Sequence, residues 1–190
     1  MRPKMMYLFG TTWWNFLGLG IWWGQGWKKP MHVGCFFIMD DGSKVGFHAQ
    51  YRVRGRELGG FVKFDFDQYE KGFHTRRARL SGKRIRKMHI PLSVDVASAK
   101  YARCIRLRNE SKGYAHAQVL GKLLHEKRNV PLPTDPEYVD CSESMGLIME
   151  HDTPVFDLRE PTFNPNFDSI TPYELWHGIE RILYPNKFQA

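Results

Sequence analysis

The segment that most constrains this chain runs from Met31 to Tyr51. Residues 31–39 (MHVGCFFIM) form an uninterrupted apolar run that reads as a buried strand. Asp40-Asp41-Gly42-Ser43 is turn chemistry, and residues 44–51 (KVGFHAQY) return as a second strand. The turn length decides which side chains share a face. A three-residue loop with Gly42 in the left-handed region sets His32 opposite Gln50 and diagonal to His48, all on one face. A two-residue turn shifts the register by one and turns His48 and Gln50 away.

A third strand is expected near 60–66 (GFVKFDF), where apolar residues alternate. Residues 94–108 and 114–126 read as helices separated by Gly113, with Leu120, Leu123 and Leu124 on the apolar face of the second. Pro131, Pro133 and Pro136 make the next stretch an extended connector. A helix then opens at Cys141, with Met145, Ile148 and Met149 at helical spacing. The last helix starts at Thr171-Pro172-Tyr173-Glu174, a capping box with proline in its first turn. Together these elements describe one α+β domain over residues 1–190, a small antiparallel sheet packed against helices.

Two segments stand apart in composition. Residues 5–27 carry no charge and hold five tryptophans (Trp13, Trp14, Trp22, Trp23, Trp27) among glycines. This lead-in, within residues 1–30, reads as a core-packing helix and loop. A membrane span would carry Leu or Val in place of tryptophan and glycine, and no cleavage site of a signal peptide follows. Residues 71–87 carry eight basic side chains, Lys71, Arg76, Arg77, Arg79, Lys83, Arg84, Arg86 and Lys87, with no acid between Glu70 and Asp95. This basic insertion, residues 71–90, reads as a solvated twisted loop or edge strand. Arg76, Arg77, Arg79, Lys83, Arg84, Arg86 and Lys87 are its candidate anion-binding residues. The net charge of +8 points the same way, toward anionic partners such as a wall polymer or a membrane surface. Only Phe73 and His74 are interleaved in the basic run, which argues against nucleic acid as its partner.

Three cysteines without CxxC spacing argue against a disulfide framework and a cysteine zinc site. Cys35 and Cys104 read as small buried hydrophobes. Cys141 differs. Asp140 is a good N-cap with Glu143 three residues on, so Cys141 falls on the first turn of its helix. Amides and the positive end of the helix dipole favour a thiolate there, while the two carboxylates oppose it. An imidazole partner is therefore required. His32, at the start of its strand, is the candidate, with His48 or Gln50 as the polar residue that orients it.

This ordered set resembles the circularly permuted NlpC/P60 peptidase group, in which a papain-like fold places its histidine strand before its cysteine helix. YiiX-like proteins and the lecithin:retinol acyltransferase family belong to it. The segment ending at "HVG" resembles the lead-in helix and histidine strand of that group, and "GFHAQ" (46–50) the strand carrying its third polar residue. "KGYAHAQVLGKLL" (112–124) resembles its tyrosine-led helix, and "YVDCSESMGLIME" (138–150), followed by "ITPYEL" (170–175), its nucleophile helix and tail. The resemblance implies Cys141 as nucleophile, His32 as base, His48 as the orienting residue and Tyr114 lining the site, with no metal or cofactor. YiiX-like members often have glutamate where His48 stands, whereas the acyltransferase branch has histidine, so the substrate class stays open. The expected function is a cysteine peptidase or amidase acting on peptidoglycan stem peptides, carried in a phage tail or virion, or delivered to the periplasm or wall by a lysis system. The Trp-rich lead-in would then dock on phage structural proteins. A lipid acyl hydrolase or acyltransferase at a membrane interface and a non-catalytic adaptor are the alternatives.

Overall fold

The computed structural model describes residues 1–12, 30–50, 59–114, 138–149 and 171–188. Five strands form one sheet: β1 (Pro3–Thr12), β2 (His32–Met39), β3 (Lys44–Gln50), β4 (Gly60–Asp65) and β5 (Arg84–Ile90). Their order is β4-β3-β2-β1-β5, and every neighbouring pair is antiparallel. The helices are α1 (Phe66–His74), α2 (Arg76–Leu80), α3 (Val94–Glu110), α4 (Cys141–Met149) and α5 (Pro172–Leu183). A two-residue strand β6 (Gly113–Tyr114) pairs in parallel with β7 (Tyr138–Val139). The chain is thus α+β, built on an antiparallel sheet.

The expected hairpin is present. Gly42 has φ +82°, its amide donates to the Met39 carbonyl at 3.1 Å, and the Met39 amide donates to the Ser43 carbonyl at 2.9 Å. This is the three-residue loop. The β2–β3 ladder runs from Ile38↔Lys44 to Cys35↔Phe47, and among the described residues no further pair forms between these strands. Residues 32–34 remain paired to β1, and residues 48–50 to β4. His32 and His48 therefore lie beyond the last rung of the ladder.

Side-chain alternation sends the two faces of the sheet into two cores. Met6, Leu8, Val33, Cys35, Phe37, Phe47, Met88 and Ile90 pack with Cys104 of α3, Met145 and Ile148 of α4, and Leu175 and Trp176 of α5. On the opposite face Phe9, Phe36 and Phe66 pack with Tyr7, Phe64, Tyr69 and Ile85. Phe36 and Phe66 stack at 3.8 Å between centroids and tie α1 to the middle of the sheet. Burying a side chain of that size stabilises the fold by about 1.5–3 kcal/mol.

Three expectations need correction. Residues 3–12 are a central strand, so this part of the lead-in is not helix. Met6 and Leu8 enter one core while Tyr7 and Phe9 enter the other. Burial on both faces makes residues 6–9 continuously apolar, and such a run carries no period that separates strand from helix. Tyr114 lies in β6 rather than opening a helix. The rest of that expected helix, the proline connector and the tryptophans of the lead-in fall outside the described residues. Third, the basic stretch is the expected edge strand only in its second half: residues 84–90 form β5, paired to β1 from Thr12↔Arg84 to Met6↔Ile90, while residues before it supply the last turn of α1 and all of α2. Among the described residues no helix is long and apolar enough to cross a membrane.

Candidate active site

The histidines come together where β2 and β3 part. His32 Nε2 and His48 Nδ1 are 2.8 Å apart, with the rings at 72° to each other. Each residue is 6% exposed. Gly34 makes the local packing workable. A Cβ there would lie 2.4 Å from the Phe9 ring and 2.7 Å from the Phe47 carbonyl. With glycine in place, Phe9 sits beneath both imidazoles, at 6.4 Å from His32 and 6.1 Å from His48. Phe64 and Tyr69 complete the wall around His48, at 4.7 and 5.3 Å.

Burial dominates the electrostatics of the pair. It pushes His48 down to about 4, against a smaller upward pull from its hydrogen bond with Gln50. His32 is also held well below its ordinary value, first by burial and then by repulsion from His48. Both rings are neutral near pH 7. A neutral imidazole has one donor and one acceptor nitrogen, so the chain of hydrogen bonds sets the tautomers. In the 2.8 Å contact one of His32 Nε2 and His48 Nδ1 donates and the other accepts. His48 is thus the ring that touches His32, and the Gln50 side chain acts on His48 alone.

Cys141 is the first residue of α4, which packs on the Val33, Cys35 and Phe47 face of β2 and β3, whereas the rings of His32 and His48 lie on the Phe9 and Phe64 face, at the end of the same strands. It is 3% exposed. Asp140, also buried, caps this helix: its carboxylate accepts from the Ser142 amide at 2.8 Å and the Ser142 hydroxyl at 2.9 Å. One amide of the helix end is thereby occupied, which reduces what the terminus offers to a thiolate. The Glu143 side chain falls outside the described residues. Tyr114 is buried within electrostatic reach of Cys141. Its phenol is held well above the ordinary value by burial, then by the charges of Cys141 and Asp140.

Tyr69 is a site residue that sequence reasoning misses. Burial raises its phenol well above the ordinary value, the Thr11 hydroxyl opposes this, and the charge of Cys141 adds to it. Its signal is the helical spacing of Phe66, Tyr69 and Phe73, which lies hidden beside the basic run. The candidate anion-binding residues lie outside this constellation. Lys87 bonds Glu70 at 2.7 Å. Arg76, Arg77, Arg79, Lys83, Arg84 and Arg86 are exposed and make no ion pair among the described residues. Cys35 and Cys104, read as small buried hydrophobes, are both buried and face each other across the β2–α3 packing with sulfurs 3.8 Å apart, and burial pushes the Cys104 thiol up. Among the described residues no group of three or more His, Cys, Asp or Glu side chains could hold a metal ion. No protein-family model, curated protein or solved structure matches this chain.

Proposed function

We propose that this chain is a cysteine hydrolase of the permuted papain-like kind, with Cys141 as nucleophile and His32 as general base. The observation that carries the proposal is the buried His32–His48 contact at the end of the two strands against which the Cys141 helix packs. A neutral His32 is in the form that accepts a proton. The imidazole takes the thiol proton as sulfur bonds to the carbonyl carbon of an amide. The proton then passes to the leaving amine as the C–N bond breaks and a thioester remains. Water hydrolyses the thioester, releasing the acid and restoring the thiol. The substrate class proposed is the peptidoglycan stem peptide, whose anionic polymer suits a basic protein. A lipid acyl ester is the second reading, favoured by exposed Leu80 within the basic run.

The test is the pH dependence of Cys141 alkylation, read by peptide mass spectrometry in the wild type and in His32→Ala. Alkylation of Cys141 near pH 7 that is faster in the wild type than in the variant supports the pair, because a neutral imidazole assists loss of the thiol proton. A Cys141 that is alkylated identically in both refutes it and leaves the adaptor reading. Release of stem-peptide fragments under reducing conditions, lost in Cys141→Ala, tests the substrate.

A further inference from the structure

The described surface carries one strongly charged feature that the hydrolase chemistry does not use, and its geometry is more than a run of charges. Helix α2 is five residues long, and of these only Ala78 is buried. At about 100° per residue, Arg76 and Leu80 both point away from Ala78, and Arg77 and Arg79 flank them. Leu80 is therefore at the centre of an arginine-lined face, and it is 81% exposed. The turn that follows is fixed by backbone bonds from Ser81 to Arg77, Gly82 to Arg79 and Lys83 to Ala78, with Gly82 at φ +66°. It delivers exposed Lys83 and Arg84 beside the same tip.

Nearby acids do not neutralise this face. Glu70 is taken by Lys87 at 2.7 Å, and Asp67 by Lys44 at 2.6 Å. The tip also stands at the histidine end of the sheet. Thr12 pairs with Arg84, and Thr11 pairs with His32 on its other side, so the start of β5 is about 10 Å from β2, two strand spacings away.

We propose that this tip docks on an anionic phospholipid bilayer, with Leu80 entering the interface and Arg76, Arg77, Arg79, Lys83 and Arg84 contacting lipid phosphates. An exposed large apolar side chain ringed by cations matches an interface with an apolar interior and a negative surface. A nucleic acid would engage the same arginines but has no use for a projecting leucine, and the only phenyl ring of the stretch, Phe73, is buried. Docking by this tip holds the histidine end of the sheet near the lipid surface. The inference stands apart from the hydrolase assignment, since binding is read without turnover.

The experiment is co-sedimentation of the full chain with phosphatidylcholine vesicles, with and without phosphatidylglycerol, at low and raised salt. The wild type is expected to sediment with the anionic vesicles only, and less as salt rises. One basic residue near such a surface is worth roughly fivefold in partitioning. Combined Arg76→Glu, Arg77→Glu and Arg79→Glu should then lower it by about a hundredfold or more. Leu80→Ser, which removes no charge, should lower it by about tenfold at unchanged salt dependence. Thermal melts by circular dichroism establish that each variant is folded. No binding to anionic vesicles overturns the proposal. So does wild-type binding by Leu80→Ser together with displacement by duplex RNA, which would assign the face to a soluble polyanion.

Discussion

Lowering the pH should unfold this protein through its histidine pair, and His48 gives the magnitude. Its folded pKa is about 4, against 6.5 for a free imidazole. The unfolded chain therefore binds the His48 proton first as pH falls. Stability from this group is fully present above pH 6.5, is lost progressively as pH falls toward 4, and is gone below that. A gap of that size corresponds to about 3 kcal/mol, a large part of the stability of a typical domain. His32 shifts in the same direction and adds to the loss. The assay is urea unfolding at a series of pH values between 7 and 4, in the wild type and in His48→Gln. The wild type should lose at least about 3 kcal/mol more than the variant across that window. The variant sheds the His48 proton and its repulsion of His32 but keeps the burial of His32, so the subtraction isolates His48 and its coupling to His32 from the other titrating groups. Equal slopes in the two proteins would refute the reasoning, as would an NMR titration of His48 with its midpoint near 6.5.

Other outcomes follow from packing and capping. Gly34→Ala drives a methyl into the Phe9 ring and the Phe47 carbonyl and should cost about 1–3 kcal/mol, measured by denaturant midpoint. Gly72→Ala, inside α1 with nothing within 4 Å of the new Cβ, should instead stabilise by about 0.5–1 kcal/mol in the same measurement. Thr171→Ala removes a hydroxyl that accepts from the Glu174 amide and should cost about 1 kcal/mol, seen as a lowered Tm.

Legibility in the sequence tracks how local the determining interaction is. The β2–β3 turn at Gly42, the Asp140 cap before Cys141 and the Thr171–Glu174 box are settled by residues within four positions of each other, and each can be read directly. β1 could not, because its apolar character comes from two cores assembled by distant segments. α1 was obscured by the change from alternating strand to helix at Asp65-Phe66 and by the basic run that follows. At the site, loop length predicts that His32 and His48 share a face. That the ladder stops at Cys35↔Phe47, so that a side-chain contact links the strands beyond it, depends on Phe9 wedged under Gly34, which no short-range pattern reveals.

The position of β1 has a kinetic consequence. It precedes every partner it has, and one of its two neighbours, β5, is the last strand of the sheet in chain order. Until residues 84–90 arrive, β1 has an open edge of amides and carbonyls along an almost wholly apolar segment. Pairing across so much chain is slow because the loop must close before any contact rewards it. A half-built sheet with such an edge is also a template for a second copy. Refolding from denaturant should accordingly be a race, with recovery falling steeply as protein concentration rises, and the arginines and lysine on β5 acting as the guard that ends it once the strand is in place.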